Sequence, residues 1–512
     1  MDLFKTVIAI IPIVWLILSL GVFHVRGDLA CVIGFVGAIV LSIVGFGFSI
    51  PDSLTAGLDG IMMAFWPIIY VIISAVFIYN ISRKSGGMDT IMSMLTSITK
   101  DMRILVLILA WALGGFLEAV AGFGTAVAIP ASILIMLGME PIKAAVICLI
   151  ANTAPTAFGA IGLPITTLAK VTGLGATELG FFVSIQLFIL IIIIPFVLVY
   201  LTGGKGMKSF KGNGVLAATL LAGLTFAVPQ IFITKYMGPE LPSIVGSIVC
   251  LAALVLVTKM YNKKDSDGSN DASDKSTSDK VKAWFPFILL FVLIIATSSL
   301  FPAVKNALAG VKTSFHFYTG AHPKMVDIDW LTSPGTLILL SSLIGGAVQG
   351  LSLGKMLSVL GSTIKQLSKT IVTVCAIVGL SKVMGYSGMI ATIAVSLVAI
   401  TGPFYPVISP IIGVLGIFIT GSDTSANVLF GGLQAQAAHA LSVSPYWLAA
   451  ANMAGATAGK MISPQSIAIA TGATGLDGKE GVLLKKALPY CAMYTVALCA
   501  IVYIVGKLMS LL

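Results

Sequence analysis

Apolar runs long enough to cross a lipid bilayer recur from Phe4 to the C-terminus, and they restrict the fold more than any other feature of the sequence. A hydrocarbon core of about 30 Å takes roughly 20 helical residues to cross. In lipid every backbone N–H and C=O must be paired within the protein, which leaves helices and closed barrels as the spanning structures. The alternating segments of about ten residues that build barrels are absent. The expected fold is therefore an all-α polytopic membrane protein. With 58% of the 512 residues hydrophobic and 10% charged, nothing is left over for a soluble catalytic domain.

Ordinary spans are expected at about 4–22, 29–48, 60–80, 178–202, 215–238, 240–260, 283–302, 333–351, 370–386 and 485–508. The first has only Lys5 as a basic flank and no small-residue cleavage site, so it reads as a retained span. The run 261–282, rich in Ser, Asp, Lys and Asn, cannot bury apolar surface and is expected to link two membrane halves, 1–260 and 283–512. A second polar loop runs from Val304 to Trp330. The formal charge of +10 comes from Lys and Arg in short loops, the distribution of orientation signals, and no nucleic-acid partner is expected. Cys31, Cys148, Cys250, Cys375, Cys491 and Cys499 all lie in apolar segments without a C-x-x-C pair. Neither disulfides nor zinc are expected, and no motif calls for a cofactor or another metal.

Two stretches behave differently. From Arg103 to Met139 the chain has 37 residues in which to leave and return, with a glycine-rich patch, Glu118 to Thr125, near the middle. The same shape recurs over 406–440, broken at Gly421 to Asn427. Re-entrant hairpins over about 103–139 and 406–440 are expected, because irregular backbone at membrane depth must be buried in protein or line a cavity. Two pairs of short, kinked but complete spans remain the alternative. Each hairpin precedes an interrupted span, one broken around Asn152 to Pro155 and the other between Asn452 and Pro464. At an offset of 300, Ala151, Asn152, Ala154, Gly159 and Pro164 match Ala451, Asn452, Ala454, Gly459 and Pro464. Ser85 to Met88 resembles Tyr386 to Met389, and Gly122 to Thr125 resembles Gly421 to Thr424, at offsets of 299 to 301.

Basic residues set the orientation. His24, Arg26, Arg83, Lys84, Lys143, Lys205, Lys208, Lys211, Lys259 to Lys282, Lys355 to Lys369 and Lys479 to Lys486 fall on one side, which is expected to be the cytoplasm. Asp52, Asp59, Glu178, Glu240, the Val304 to Trp330 loop and both termini fall on the other. The count is twelve crossings plus two hairpins, and the two repeats are inverted. Inverted repeats with discontinuous helices hold a substrate where the breaks meet, because half-helix N-termini offer N–H groups and positive dipole ends to anions.

Deep ionisable groups cost about 3 kcal/mol each on insertion scales, so each is a functional candidate. The sequence offers Glu118 before the first hairpin tip, Asp423 in the second, and Lys460 after the second break. Glu118 or Asp423 is the candidate proton carrier, and Lys460 is a candidate partner for a substrate carboxylate. The same carboxylates could instead serve as caps or as partners of Lys460. Asn152 and Thr153 in one half, and Thr424, Ser425, Asn427, Asn452, Ser463, Gln465 and Ser466 in the other, supply amides and hydroxyls suited to a small hydroxy acid. Some of these are expected only to satisfy backbone groups at helix ends.

The segments GFLEAVAGFGTAVAIP from Gly115, GSDTSANVLFG from Gly421 and GKMISPQSIAIATGATGL from Gly459 resemble the L-lactate permease family, and the resemblance covers essentially the whole chain. It implies uptake of L-lactate, often D-lactate and glycolate, by proton symport across a bacterial cytoplasmic membrane. It also implies a hairpin-containing elevator architecture, often dimeric, and makes Glu118, Asp423, Asn427, Lys460 and Gln465 the leading site residues. Ala126 stands where relatives are expected to carry Pro, and Ala426 where a second Ser or Thr is expected. Sodium coupling and another organic anion remain open. A channel has no need of inverted broken helices. An intramembrane enzyme would need a metal motif or a Ser-His arrangement that is absent, with His24, His316, His322 and His439 scattered through loops and ends. The chain is therefore not expected to be an enzyme.

Overall fold

A computed structural model describes residues 3–512 except 22, 24, 123, 205–208, 213, 262–275, 298–300, 321–324 and 477–478. His24, Lys205, Lys208, His322 and most of the expected linker lie outside the described residues. Nearly everything else is helical, and nine of the described helices are long and apolar enough to cross a membrane. A tenth candidate is the pair Pro141–Ala151 and Pro155–Thr172, bent by 54° at its break. The one sheet among the described residues is a two-stranded antiparallel hairpin, Lys312–Phe315 with Val326–Asp329, in the polar loop. The chain is thus an all-α polytopic membrane protein.

Several boundaries differ from the sequence expectation, each for a local reason. The span expected at 60–80 is a path of 35 residues, Ile50–Lys84. It starts early because Ser49 accepts a hydrogen bond from Asp52 N at 3.1 Å, which caps the helix. It kinks at Trp66 (φ −131°, ψ 118°), the residue before Pro67, where proline disfavours helical backbone. Asp59, expected in an outer loop, is consequently inside a helix, fully buried, and paired with Lys382 at 2.8 Å. The expected linker ends sooner than 282, since Ser276 caps a helix, Thr277–Ala296. The helices Gly87–Thr96 and Met389–Thr401 were not foreseen. Both begin on a glycine in the left-handed region, Gly86 (φ 79°) and Gly388 (φ 83°).

Hydrogen bonds between distant segments show which helix ends share a side. Arg103 at the base of the first hairpin donates to Ser209 O and Lys211 O at 3.0 and 2.9 Å, and Lys143 Nζ donates to Thr202 O at 3.1 Å. On the same side Gln349 Nε2 donates to Lys282 O and Ala283 O, and Ser85 Oγ donates to Gln349 Oε1. The opposite side is joined by Ser444 N to Leu511 O, Gly175 N to the Tyr446 hydroxyl, and Thr319 N to Thr55 Oγ1. Among the described residues, Lys143, Lys211 and Lys282 make this first side the more basic one, while Lys305 and Lys312 lie in the polar loop on the other.

The hairpins comprise Met102–Val120 with Thr125–Met136, and Tyr405–Thr420 with Asp423–Leu441. The expectation that every arm is too short to cross fits Thr125–Met136, of 12 residues, but Met102–Val120 and Asp423–Leu441 reach 19, and Tyr405–Thr420 continues the path from Met389 into a 30-residue stretch, Met389–Phe418, long enough to cross. What sets Met102–Val120 apart is burial: 94% of its apolar window is inside the protein, against 28% for Gly27–Phe46. An arm so enclosed sees protein, not lipid.

Candidate functional site

Each hairpin turns on glycines with left-handed backbone, Gly122 (φ 60°) and Gly124 (φ 83°) in the first and Gly421 (φ 71°) in the second. Glycine adopts this region without a Cβ penalty. Space demands it too, because a Cβ on Gly124 would run into Ile469 and one on Gly421 into Gln465. Both tips therefore pack on one short helix, Pro464–Thr474. Ser132 Oγ adds a hydrogen bond from the first hairpin to Ala473 O at 3.0 Å.

The breaks follow. In the first, Pro141–Ala151 stops at Asn152, a short 3-10 turn covers Pro155–Phe158, and Ala160, Ile161 and Gly162 hold left-handed backbone before the helix resumes. In the second, Pro445–Gly459 passes through the 3-10 turn Lys460–Ile462 to Ser463. The break expected between Asn452 and Pro464 is thus confined to 460–463, and Asn452 sits in regular helix. The glycines that suggested a longer break serve close packing: a Cβ on Gly455 would meet the Pro410 carbonyl, and one on Gly459 would meet Val414 and Ile417.

Tips and breaks enclose a cavity of about 490 Å³. Its wall includes Glu118 from the first hairpin, Thr156, Gly159 and Pro164 from the first break, and Thr420 to Ser425 from the second hairpin. Lys460, Pro464, Gln465 and Ser466 from the second break complete it. Exposed Arg26 and Lys369 also line it, so the cavity reaches the more basic side. The N-termini of Thr125–Met136, Asp423–Leu441 and Pro464–Thr474 meet here, through Gly124, Ser422 to Ser425, and Pro464 to Ser466. Three positive dipole ends directed at one space favour an anion.

Lys460 Nζ lies 3.6 Å from Asp423 Oδ2. Thr156 Oγ1 is 2.6 Å from that same oxygen and 3.1 Å from Glu118 Oε1. Lys460 is 9% exposed and Glu118 and Asp423 3% each, so one cation and two carboxyl groups share a site that water barely reaches. Net charge is expensive there, and the three groups must balance one another.

Of the residues singled out in the sequence, Glu118, Asp423, Thr424, Ser425, Lys460, Gln465 and Ser466 come together on this cavity. Asn427 and Asn452 lie behind it: Asn452 Nδ2 donates to Asn427 Oδ1 at 3.0 Å, and Asn427 Nδ2 donates to Pro164 O at 3.0 Å. They tie the second hairpin to both broken helices. Ser463 caps the last half-helix by accepting from Ser466 N at 3.2 Å, and Thr153 donates to Ile150 O at 2.7 Å. Asn152 is buried at the first break and off the wall. Thr156 was missed, although a hydroxyl within a recognised break was signal enough to include it. The Asp59–Lys382 pair is not legible in the sequence, because the apolar run that marks the helix begins after Asp59.

This cavity, walled by hairpin tips and helix breaks inside a bundle of apolar helices, belongs to a multi-pass membrane protein whose relatives are permeases. The chain belongs to the L-lactate permease family, whose model matches residues 5–509. It is 59% identical to an L-lactate permease of Streptococcus iniae over 448 residues, covering 88% of this chain and 94% of that protein. It is 36% identical to the glycolate permease GlcA of Escherichia coli (strain K12) over 529 residues, covering 96% and 93%. Its fold is similar to a solved chain of Neisseria gonorrhoeae MtrF, described within a class of antimetabolite efflux pumps, with a TM-score of 0.52 over 92% of this chain and 94% of that one. At 15% identity that likeness speaks for the fold alone.

Proposed function

We propose that the protein is a secondary active transporter that takes up L-lactate and related 2-hydroxymonocarboxylates, D-lactate and glycolate among them, across a bacterial cytoplasmic membrane together with protons. The observation that carries the reading is Lys460, the one buried lysine among the described residues, facing a cavity that also holds Glu118 and Asp423. One cation plus three helix N-termini suits one carboxylate. Thr424, Ser425 and Gln465 supply donors and acceptors for the 2-hydroxyl, whose desolvation has to be compensated. The names of the relatives, lactate and glycolate permeases, support the same substrate class.

The accompanying architecture is twelve crossings plus two re-entrant hairpins, arranged as inverted repeats in residues 1–260 and 283–512. Left-handed glycines at the matched tip positions Gly122 and Gly421, and one residue out of register at Gly86 and Gly388, support the repeat. With the basic side as the cytoplasm, the cavity described above is inward-facing. Elevator movement of the hairpins and broken helices against the remaining helices, in a homodimer, belongs to this reading. The test is lactate uptake by purified protein in liposomes with proton and sodium gradients imposed separately. Accumulation driven by the proton gradient is expected; accumulation driven only by sodium would replace the coupling ion, and no uptake of any 2-hydroxymonocarboxylate would overturn the substrate.

A further inference from the structure

Thr156 has one hydroxyl proton and stands between two carboxyl groups, 2.6 Å from Asp423 Oδ2 and 3.1 Å from Glu118 Oε1. A hydroxyl donates one hydrogen bond, and an ionised carboxylate only accepts. Both contacts are full two-centre hydrogen bonds only when one carboxyl carries a proton and donates it to Thr156 Oγ1. The shorter contact goes to the carboxylate that also faces Lys460, which marks Asp423 as the ionised member. The proton then belongs to Glu118.

We infer that Thr156 is a positioning residue that joins Glu118 and Asp423 into one proton-sharing unit, which holds one proton when the site is empty and two when a monocarboxylate is bound. The inference rests on the proton-coupled reading above. In the empty site Lys460 is positive, Asp423 negative and Glu118 neutral, so the sum is zero. A monocarboxylate pairing with Lys460 displaces Asp423 from its counter-ion and adds one negative charge where charge is costly. Neutrality returns with one proton. The Thr156 O–H bond breaks as an O–H bond forms at Asp423 Oδ2, Thr156 Oγ1 takes the proton of Glu118, and Glu118, which lines the cavity, is reprotonated from a hydronium ion there. Release of substrate and proton reverses the sequence. Both the empty and the doubly loaded site are neutral, so both can cross, whereas a site loaded with only one of the two is charged.

The experiment uses full-length wild type, Thr156→Val and Thr156→Ser in liposomes. In the same vesicles it reads lactate accumulation under an imposed pH gradient, and the pH profile of lactate exchange. Thr156→Ser keeps the hydroxyl and is expected to keep the wild-type ratio of accumulation to exchange within about threefold. Thr156→Val is expected to lower that ratio about tenfold or more and to move the pH profile of exchange by about one unit, the size of a lost proton-sharing contact. A Val variant with wild-type ratio and profile, or a Ser variant as uncoupled as Val, overturns the inference. Where the Val variant is not recovered folded, judged by thermal unfolding, Thr156→Cys takes its place under the same criteria, since it is of similar size with a far weaker donor. Wild type indifferent to the pH gradient would defeat the proton-coupled reading itself, while a pH-driven wild type beside an indifferent Val variant would defeat only the role of Thr156.

Discussion

At the scale of single residues, the spacing of Lys460 from Asp423 matters as much as their charges. A separation of 3.6 Å is longer than a charge-assisted hydrogen bond of about 2.8 Å, so the ammonium is only loosely held and can exchange one carboxylate for another. Lys460→Gln is expected to lower kcat/KM for lactate uptake about a hundredfold or more, the loss typical of one buried charge-assisted contact, in initial-rate assays. Lys460→Arg is not expected to rescue it, because a planar fork does not reproduce a compact point charge. Glu118→Gln leaves a neutral side chain that can hand no proton through Thr156 to Asp423. Uphill accumulation should disappear while some lactate exchange persists, both read in the same vesicles; retained pH-driven accumulation would show that Asp423 is protonated without Glu118.

At the scale of elements, close helix contacts hold the site in register. Gly413 and Gly455 let the second hairpin and the helix Pro445–Gly459 approach backbone to backbone: a Cβ on Gly413 would meet Asn452 O, and one on Gly455 would meet Pro410 O. Gly455→Val forces those backbones apart and is expected to lower the thermal unfolding temperature of the purified protein by several degrees. A second contact joins the helices Ile50–Met63 and Ser368–Tyr386 through Asp59 and Lys382, with the Tyr386 hydroxyl donating to Asp59 Oδ2 at 3.3 Å. Lys382→Met strands a fully buried carboxylate at a cost of about 3 to 5 kcal/mol. The Asp59→Asn, Lys382→Met double variant should unfold at a higher temperature than Lys382→Met alone, because no lone charge is left.

At the scale of the whole molecule, the cavity reaches the basic side through Arg26 and Lys369. A cysteine introduced at Thr424 in an otherwise cysteine-free protein is expected to react with an impermeant thiol reagent from that side, and lactate should slow the reaction. Labelling only from the opposite side would reverse the orientation of the state described here.

The sequence by itself determined the class of molecule, because the length and recurrence of apolar runs leave a chain in lipid no option but helices. It also marked the two glycine tips and the first break, since glycine and proline clusters at membrane depth are legible without coordinates, whereas the second break, 460–463, is shorter than its glycines suggest. The few charges in apolar segments named Glu118, Asp423 and Lys460, because a buried charge stands out against such a background. Helix starts were less legible: capping by Ser49 and Ser276 lengthened helices beyond their apolar runs and took Asp59 into the core. Only the tertiary structure decided which polar groups face one another. Asn427 and Asn452 look like ligands in sequence, yet they satisfy each other behind the wall, whereas Thr156, one hydroxyl among many, stands between Glu118 and Asp423. Those three residues lie 38 and 267 positions apart in the chain, and no local pattern encodes a meeting produced by packing two hairpins and two broken helices together.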